Sequence, residues 1–376
     1  MTARIIYADS ERSADMLYAT GLFAPDPFLY VQEESGRSHL VISILELDRA
    51  RRVAQVDQVV NWEEVRRAFK EKYPDEIPQA GSLAAFFLRD LEISSVQAPD
   101  DFPLGFADRL RQNGIEVNAV EGAFWPERAI KRPQEIAAIE TALVKTGIGM
   151  AAGIDMISQS RIGEDGLLHL DGEILTSERV RATINKALVD EGASGFHTIV
   201  SGGDQAADPH EEGFGPLPAH RAIILDVFPR VEKSGYWGDM TRTICRGKVP
   251  ERVQKAYDAV WAGQKLAFSM IQEGVSGLTV HQAVTDLMTE AGFPTGVGAD
   301  GRQQGFFHGT GHGLGLEVHE FPRVGRKDEI LQAGHVVTVE PGLYYPDMGG
   351  VRLEDVVVVE KEGCRNLTDV PKVLEV

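Results

Sequence analysis

RAIILDVFPRVEKSGYWGDMTRTIC, residues 221–245, is the stretch from which the architecture unfolds. It reads as two strands around a turn at Arg230–Ser234, the first broken by Asp226 and the returning one carrying Asp239. A carboxylate among apolar strand residues is costly to bury alone, so something positive must meet it. The pattern recurs downstream. GHVVTVEPGLYY (334–345) and GVRLEDVVVVE (350–360) read as a second strand pair, with Glu340 after VVTV and Glu354 inside VRLEDVVVV. Alternate residues of a strand share a face, so Val336, Thr338 and Glu340 point together, as do Arg352, Glu354 and Val356.

Each strand pair is preceded by two helical patterns. The first set is a long helix after Pro133, with Ile136, Ile139 and Leu143 at helical spacing, and TSERVRATINKALVDEG (176–192), stopped by Gly192. The second is PERVQKAYDAVWAGQKLAFSMI (250–271), with Pro250 in its first turn, and TVHQAVTDLMTEAG (279–292). Residues 133–246 therefore read helix, helix, strand, strand, and residues 250–360 repeat the order without repeating the sequence. Such a repeat would set the two strand pairs facing each other across a pseudo-twofold axis.

The first ~125 residues read as an α/β layer. DSERSADMLYATGL (9–22) is a capped short helix, PFLYVQEESGRSHLVISI (27–44) two strands around a turn, and 61–73 and 82–92 helices. PLGFADRLRQNGIEVNAV (103–120) gives helix, glycine stop and strand. This half has one histidine, His39, and no cysteine. The prolines of AFWPERAIKRP (123–133) mark a boundary, so the expected domains are 1–126 and 127–376.

Composition narrows the function. A chain of 376 residues with 43% hydrophobic and 25% charged residues is ordinary for a globular protein. Its 38 Lys+Arg against 57 Asp+Glu give a net charge of −19, which argues against nucleic acid and anionic membranes as partners. Cys245 and Cys364 are too few for a disulfide framework. The start MTARIIYADSERSADM lacks a signal-peptide core, and no charge-free apolar run approaches a membrane span. The expected setting is cytoplasmic.

The chemistry lies in the second half, where seven of the ten histidines fall between residues 210 and 335. Four inward acids could meet Arg242 and Arg352 as buried ion pairs, but two arginines cannot neutralise four carboxylates. Two divalent cations can, and oxygen ligands with an imidazole suit such metals. HGTGHGLGLEVHE (308–320) supplies the imidazoles. Its glycines at 309, 311, 313 and 315 make a helix improbable and an extended backbone, close to a ligand, the better reading. No G-x-S-x-G is present, and neither cysteine has a histidine nearby in sequence. The residues alone point to a dinuclear metallohydrolase acting on an amide-like bond.

GYWGDMTRT, HGTGHGLGLEVHE, VEPGLYY and GVRLEDVVVV, in this order, resemble the pita-bread metallopeptidases, in the branch of prolidases and Xaa-Pro aminopeptidases. The resemblance spans essentially the whole chain. It implies a creatinase-like α/β N-terminal domain followed by an α+β pita-bread catalytic domain with pseudo-twofold helix-helix-strand-strand repeats. It implies two divalent metal ions, manganese foremost with cobalt, zinc or iron as alternatives, held by Asp226, Asp239, His312, Glu340 and Glu354.

In that resemblance Asp239 and Glu354 are the bridging pair, and Glu340 also moves the catalytic proton. His319 would hydrogen-bond the tetrahedral intermediate, His210 and His308 would contact substrate near the scissile bond, and Arg352 would hold a carboxylate in place. Arg323 and Arg326 are candidates for clamping a substrate carboxylate. The implied reaction cleaves the bond before proline in small peptides with proline second, in a homodimer. Aminopeptidases of other specificity, a metal-free creatinase-like C–N hydrolase and a non-catalytic pseudo-peptidase share the scaffold. One departure stands out: Asp226 and Asp239 are thirteen residues apart where the family has eleven, room for a longer turn.

Overall fold

The structure, a computed structural model, describes residues 2–376. Its contacts fall into two compact units, one ending at Arg128 and one beginning at Ala129.

The first unit is built on a mixed six-stranded sheet. Its strands are β1 (Thr2–Ala8), β2 (Phe28–Gln32), β3 (Ser38–Ile42), β4 (Gln58–Asn61), β5 (Ser95–Ala98) and β6 (Glu116–Ala119), in the order β4-β3-β2-β1-β5-β6. Strand alternation divides the core. Ile5, Leu29, Val31 and Val41 face helices α3 (Trp62–Lys72), α4 (Ala80–Asp90) and α5 (Leu104–Gln112). Ile6, Phe28, Tyr30, Leu40 and Ile42 face α1 (Ala14–Thr20) and α2 (Leu47–Val53). The lone His39 is fully buried, with Nε2 2.6 Å from Glu33 Oε1 and Nδ1 3.1 Å from Gln58 Oε1, a satisfied core histidine.

The second unit repeats helix pair and sheet twice. Helices α6 (Pro133–Ser158) and α7 (Ser177–Asp190) pack on a three-stranded antiparallel sheet of β7 (Ile199–Gly202), β8 (Ala222–Val227) and β9 (Met240–Cys245). Met150, Ile184, Leu188, Val200, Leu225 and Ile244 form that core. Helix α6 is long and apolar enough to cross a membrane by composition alone. Its Ile139, Leu143, Met150 and Ile157 are instead buried inside this unit.

Helices α8 (Glu251–Met270) and α9 (Gly277–Glu290) pack on a five-stranded sheet. Its strands are β10 (Gly311–Gly313), β11 (Glu320–Val324) and β12 (Val336–Val339), then, beyond a hairpin of β13 (Gly342–Tyr345) and β14 (Gly349–Arg352), β15 (Asp355–Val359) and β16 (Cys364–Asn366). The order is β11-β10-β12-β15-β16.

Several expectations need adjusting. Pro250 caps α8 from outside, in extended conformation, because a proline here needs no N–H and leaves the first turn to Glu251. The second strand pair is two ladders: Val336–Val339 pairs with Asp355–Val359, and Gly342–Tyr345 with Gly349–Arg352. The chain changes ladder at Glu340–Pro341 and at Leu353–Glu354, so both acids sit at joints rather than inside strands. Asp239 likewise precedes β9 by one residue. The longer connection between the aspartates is partly a strand: Pro229–Val231 pairs with Ala193–Gly195, which confines the turn to 232–234.

Candidate metal centre

Asp226 ends the apolar run of β8 opposite Thr241 on β9. Asp239 is two residues before Thr241, so alternation puts both aspartates on one face of the ladder. The second half closes on this face through Glu354. Its backbone N–H donates to Thr241 O at 3.1 Å, and Thr241 Oγ1 donates to Glu354 Oε2 at 2.8 Å. Thr241 thereby fixes Glu354 beside Asp239 across the two halves.

The histidine motif adds a third side. His312 lies on β10, extended as its glycines foretold; a Cβ on Gly311 would fall 1.9 Å from Thr338 O, so only glycine permits this approach. His312 N–H donates to Thr338 Oγ1 at 3.0 Å, and its Nδ1 lies 3.1 Å from Gly313 O. Nε2 is left facing Glu340 Oε1 at 3.4 Å and Asp239 Oδ2 at 3.8 Å. A carbonyl partner on Nδ1 selects the tautomer whose Nε2 lone pair binds a cation. Burial holds the imidazole neutral, with a pKa lowered to about 3.

Asp239, His312 and Glu354 are all buried, with one potential ligand atom of each within 4.8 Å of the others. Asp226 and Glu340 border the same cleft. Burial first, then mutual repulsion with neighbouring carboxylates, pushes Asp239 and Glu354 well above the ordinary carboxylate range. Burial likewise raises Glu340 to about 7. Asp226 Oδ1 is buried without a hydrogen bond from the described residues. A crowd of buried oxygens and one aimed imidazole nitrogen, with charges this poorly offset, fits divalent cations.

The arginines divide their work. Arg352 Nη2 donates to Asp226 Oδ2 at 2.7 Å and Arg352 Nε to Thr241 Oγ1 at 3.1 Å. Arg242 pairs instead with Asp355, a buried acid absent from the sequence-based set, at 2.9 Å. One of the four inward acids thus receives an arginine.

All eleven candidate residues border one cleft of about 760 Å³. Its floor is the acid set with His312 and Arg352. His210, exposed, flanks it beside Asp208 and Phe228; His319, also exposed, meets His312 edge to face, ring centres 4.3 Å apart. Arg323 and Arg326 line it too, with Arg326 donating to Phe307 O at 2.8 Å. His308 differs from expectation in that both ring nitrogens are engaged: Nδ1 with Gly309 O at 2.8 Å and Nε2 with Tyr344 OH at 3.0 Å. It lines the cleft, and a hydrogen bond to substrate requires it to release either Tyr344 or the Gly309 carbonyl.

Three supporting groups escaped sequence reading. Tyr344 links His308 to Arg352, whose Nη1 donates to its hydroxyl at 2.7 Å; VEPGLYY contained it without marking it. Thr241, inside GDMTRT, joins the halves. Glu320, the last residue of the histidine motif, takes no place among the cleft acids. It accepts from Lys131 Nζ at 2.7 Å and from the Leu316 and Glu317 amides at 3.0 and 3.2 Å, pinning the motif's loop.

A buried carboxylate–imidazole cluster on a pseudo-twofold sheet pair defines a metal-dependent hydrolase of the pita-bread type. Residues 138–361 match metallopeptidase family M24, and the chain belongs to that family. It is similar to an Xaa-Pro dipeptidase of Pyrococcus horikoshii, 30% identical over 289 residues, 75% of either chain. Among solved structures it resembles an X-Pro aminopeptidase of Thermotoga maritima, TM-score 0.81 and 22% identity, covering 100% of this chain and 98% of that one. A prolidase of Pyrococcus furiosus gives TM-score 0.78 and 22% identity over 98% and 97%. The chain is a metallopeptidase, and its family implies divalent metal ions and small peptide substrates.

Proposed function

We propose that this metallopeptidase removes an N-terminal residue from the proline that follows it, using two divalent cations, manganese foremost. The observation that carries the reading is the convergence of Asp226, Asp239, His312, Glu340 and Glu354 on one cleft. Similarity to Xaa-Pro dipeptidases supports the choice of substrate.

Asp226, Asp239, His312, Glu340 and Glu354 would together hold the two cations. Bound there, the cations would supply Lewis acidity to the scissile carbonyl and lower the pKa of the attacking water. Glu340 takes that water's proton and delivers it to the departing proline nitrogen. His319, unencumbered by any hydrogen bond from the described residues, donates to the oxygen that gains charge in the transition state. Ile199, Phe228, Phe307 and Val318 give the cleft apolar wall against which a pyrrolidine ring can pack. Arg323 reads the free carboxylate of a dipeptide.

The test uses chelator-stripped protein reloaded with manganese and offered Ala-Pro, Ala-Pro-Ala and Ala-Ala. Cleavage of the proline peptides with Ala-Ala left intact is the expected result. Cleavage of Ala-Ala alone would leave the metal site standing and overturn the substrate.

A further inference from the structure

Behind the acid set, on the opposite face of β9, lies a side chain that nothing in the reaction uses. Arg242 is only 1% exposed, yet each of its five N–H groups has a partner. Nη1 donates to Thr241 O at 2.9 Å and to Glu354 O at 2.7 Å. Nη2 donates to Asp355 Oδ1 at 2.9 Å and to Val370 O at 2.7 Å, and Nε to Pro371 O at 3.3 Å. One guanidinium therefore grips the backbone of the Thr241–Glu354 joint and the backbone of the C-terminal tail together.

The tail is held at further points. Asp355 Oδ2 accepts from Lys372 Nζ and from Asn366 Nδ2. Leu367 N–H donates to Val356 O at 2.8 Å, on the second half. Cys245 N–H donates to Leu374 O at 2.6 Å and Val376 N–H to Cys245 O at 3.1 Å, on the first. Residues 366–376 thus lace the two halves together directly beneath the point where Glu354 of one half meets Asp239 of the other. Ligand separation across that joint decides how well a cation is held, and partners behind a ligand tune affinity nearly as much as the ligand itself.

We propose that Arg242 is a positioning residue for the metal centre and that the C-terminal tail, through it, is part of that centre's architecture. The inference rests on the metal-binding reading of the cleft. Arg242 sets the approach of Glu354 to Asp239 from behind, while Arg352 and Thr241 set it from the front. Coupling of this kind is reciprocal: a tail that steadies the ligands is itself steadied when cation binds.

Amide hydrogen exchange on the chelator-stripped full chain, with and without manganese, tests this without altering a residue. Manganese is expected to slow the amides of Leu367, Cys245 and Val376 by roughly tenfold more than it slows those in the middle of α8. Equal slowing of tail and α8 would be global stabilisation and would overturn the proposal, as would an unchanged tail. Arg242→Lys, which keeps the charge and loses the fork, should weaken manganese binding by about 10–100-fold in titration calorimetry. A buried control in the N-terminal unit, Leu40→Ala, should not. If the lysine variant is merely less stable and binds manganese like wild type, Arg242 is structural. Should it fail to fold, the exchange experiment still decides. Stripped wild type that binds no manganese at all would bring down the site reading itself.

Discussion

Arg352 Nη2 donates to Asp226 Oδ2 at 2.7 Å, leaving Asp226 Oδ1 buried with no partner among the described residues. One carboxylate is thus half-satisfied by protein and half-available to a cation. The guanidinium orients the ligand without occupying it.

Removing that guanidinium leaves a buried carboxylate uncompensated, which costs about 3–5 kcal/mol. Arg352→Gln in stripped protein should lower stability by that order in urea unfolding. Because the cation then carries the compensation alone, manganese should recover more stability in the variant than in wild type.

The acid set also predicts how stripped protein responds to pH. Asp239, Glu354 and Glu340 all have folded pKa values raised above the unfolded carboxylate value, Glu340 to about 7. Raised acids favour the protonated folded state, so their stabilising contribution is complete below the unfolded pKa, 3.8 for Asp239 and 4.5 for the two glutamates, and is lost as pH rises through the folded values, about 7 for Glu340. Buried His308, His312 and His335, with pKa values lowered to about 3, 3 and 4, act the opposite way over the same range, so the acids are isolated by difference: in chelator the urea midpoint of Glu340→Gln minus that of wild type should rise between pH 4.5 and 7. Saturating manganese should flatten or reverse the slope, since cation binding releases those protons. A flat difference between variant and wild type in chelator would contradict the raised pKa of Glu340.

Gly311 has no room for a methyl group, because Thr338 O occupies the Cβ position at 1.9 Å. Gly311→Ala should push β10 off β12, cost roughly 1–3 kcal/mol or more, and misplace His312. Unchanged manganese affinity in calorimetry would show that His312 does not depend on this approach.

Arg323 gives a test of substrate length. If it pairs with the dipeptide carboxylate, Arg323→Gln should lose about 1.5–3 kcal/mol of transition-state binding, or ~10–100-fold in kcat/KM, for Ala-Pro. Ala-Pro-amide, lacking that charge, should be cleaved equally by both proteins. An equal loss on both peptides would rule out the carboxylate role.

Much of this site was legible in the chain itself. Acids interrupting apolar runs of sequence at 226 and 354, and glycines flanking His312, violate local rules strongly enough to announce a ligand. The helix-helix-strand-strand order also predicted where the two halves lie. Residues whose work depends on distant partners could not be read this way. Lys131 and Glu320 are 189 positions apart, and nothing near Arg242 in sequence indicates that it meets Asp355 and Val370 rather than the inward acids. The split of the second strand pair was hidden for a related reason: alternation shows which residues share a face, but not where a chain leaves one ladder for another.

In the proposed reaction, peptide hydrolysis depends on two cations held by the acid–imidazole set. Titrating stripped protein with manganese, while following bound metal and Ala-Pro cleavage together, tests it most directly. Activity should be absent without metal, rise with added manganese and level off as the second equivalent per chain is bound. Full activity in stripped protein, or a plateau with no metal bound, would contradict it.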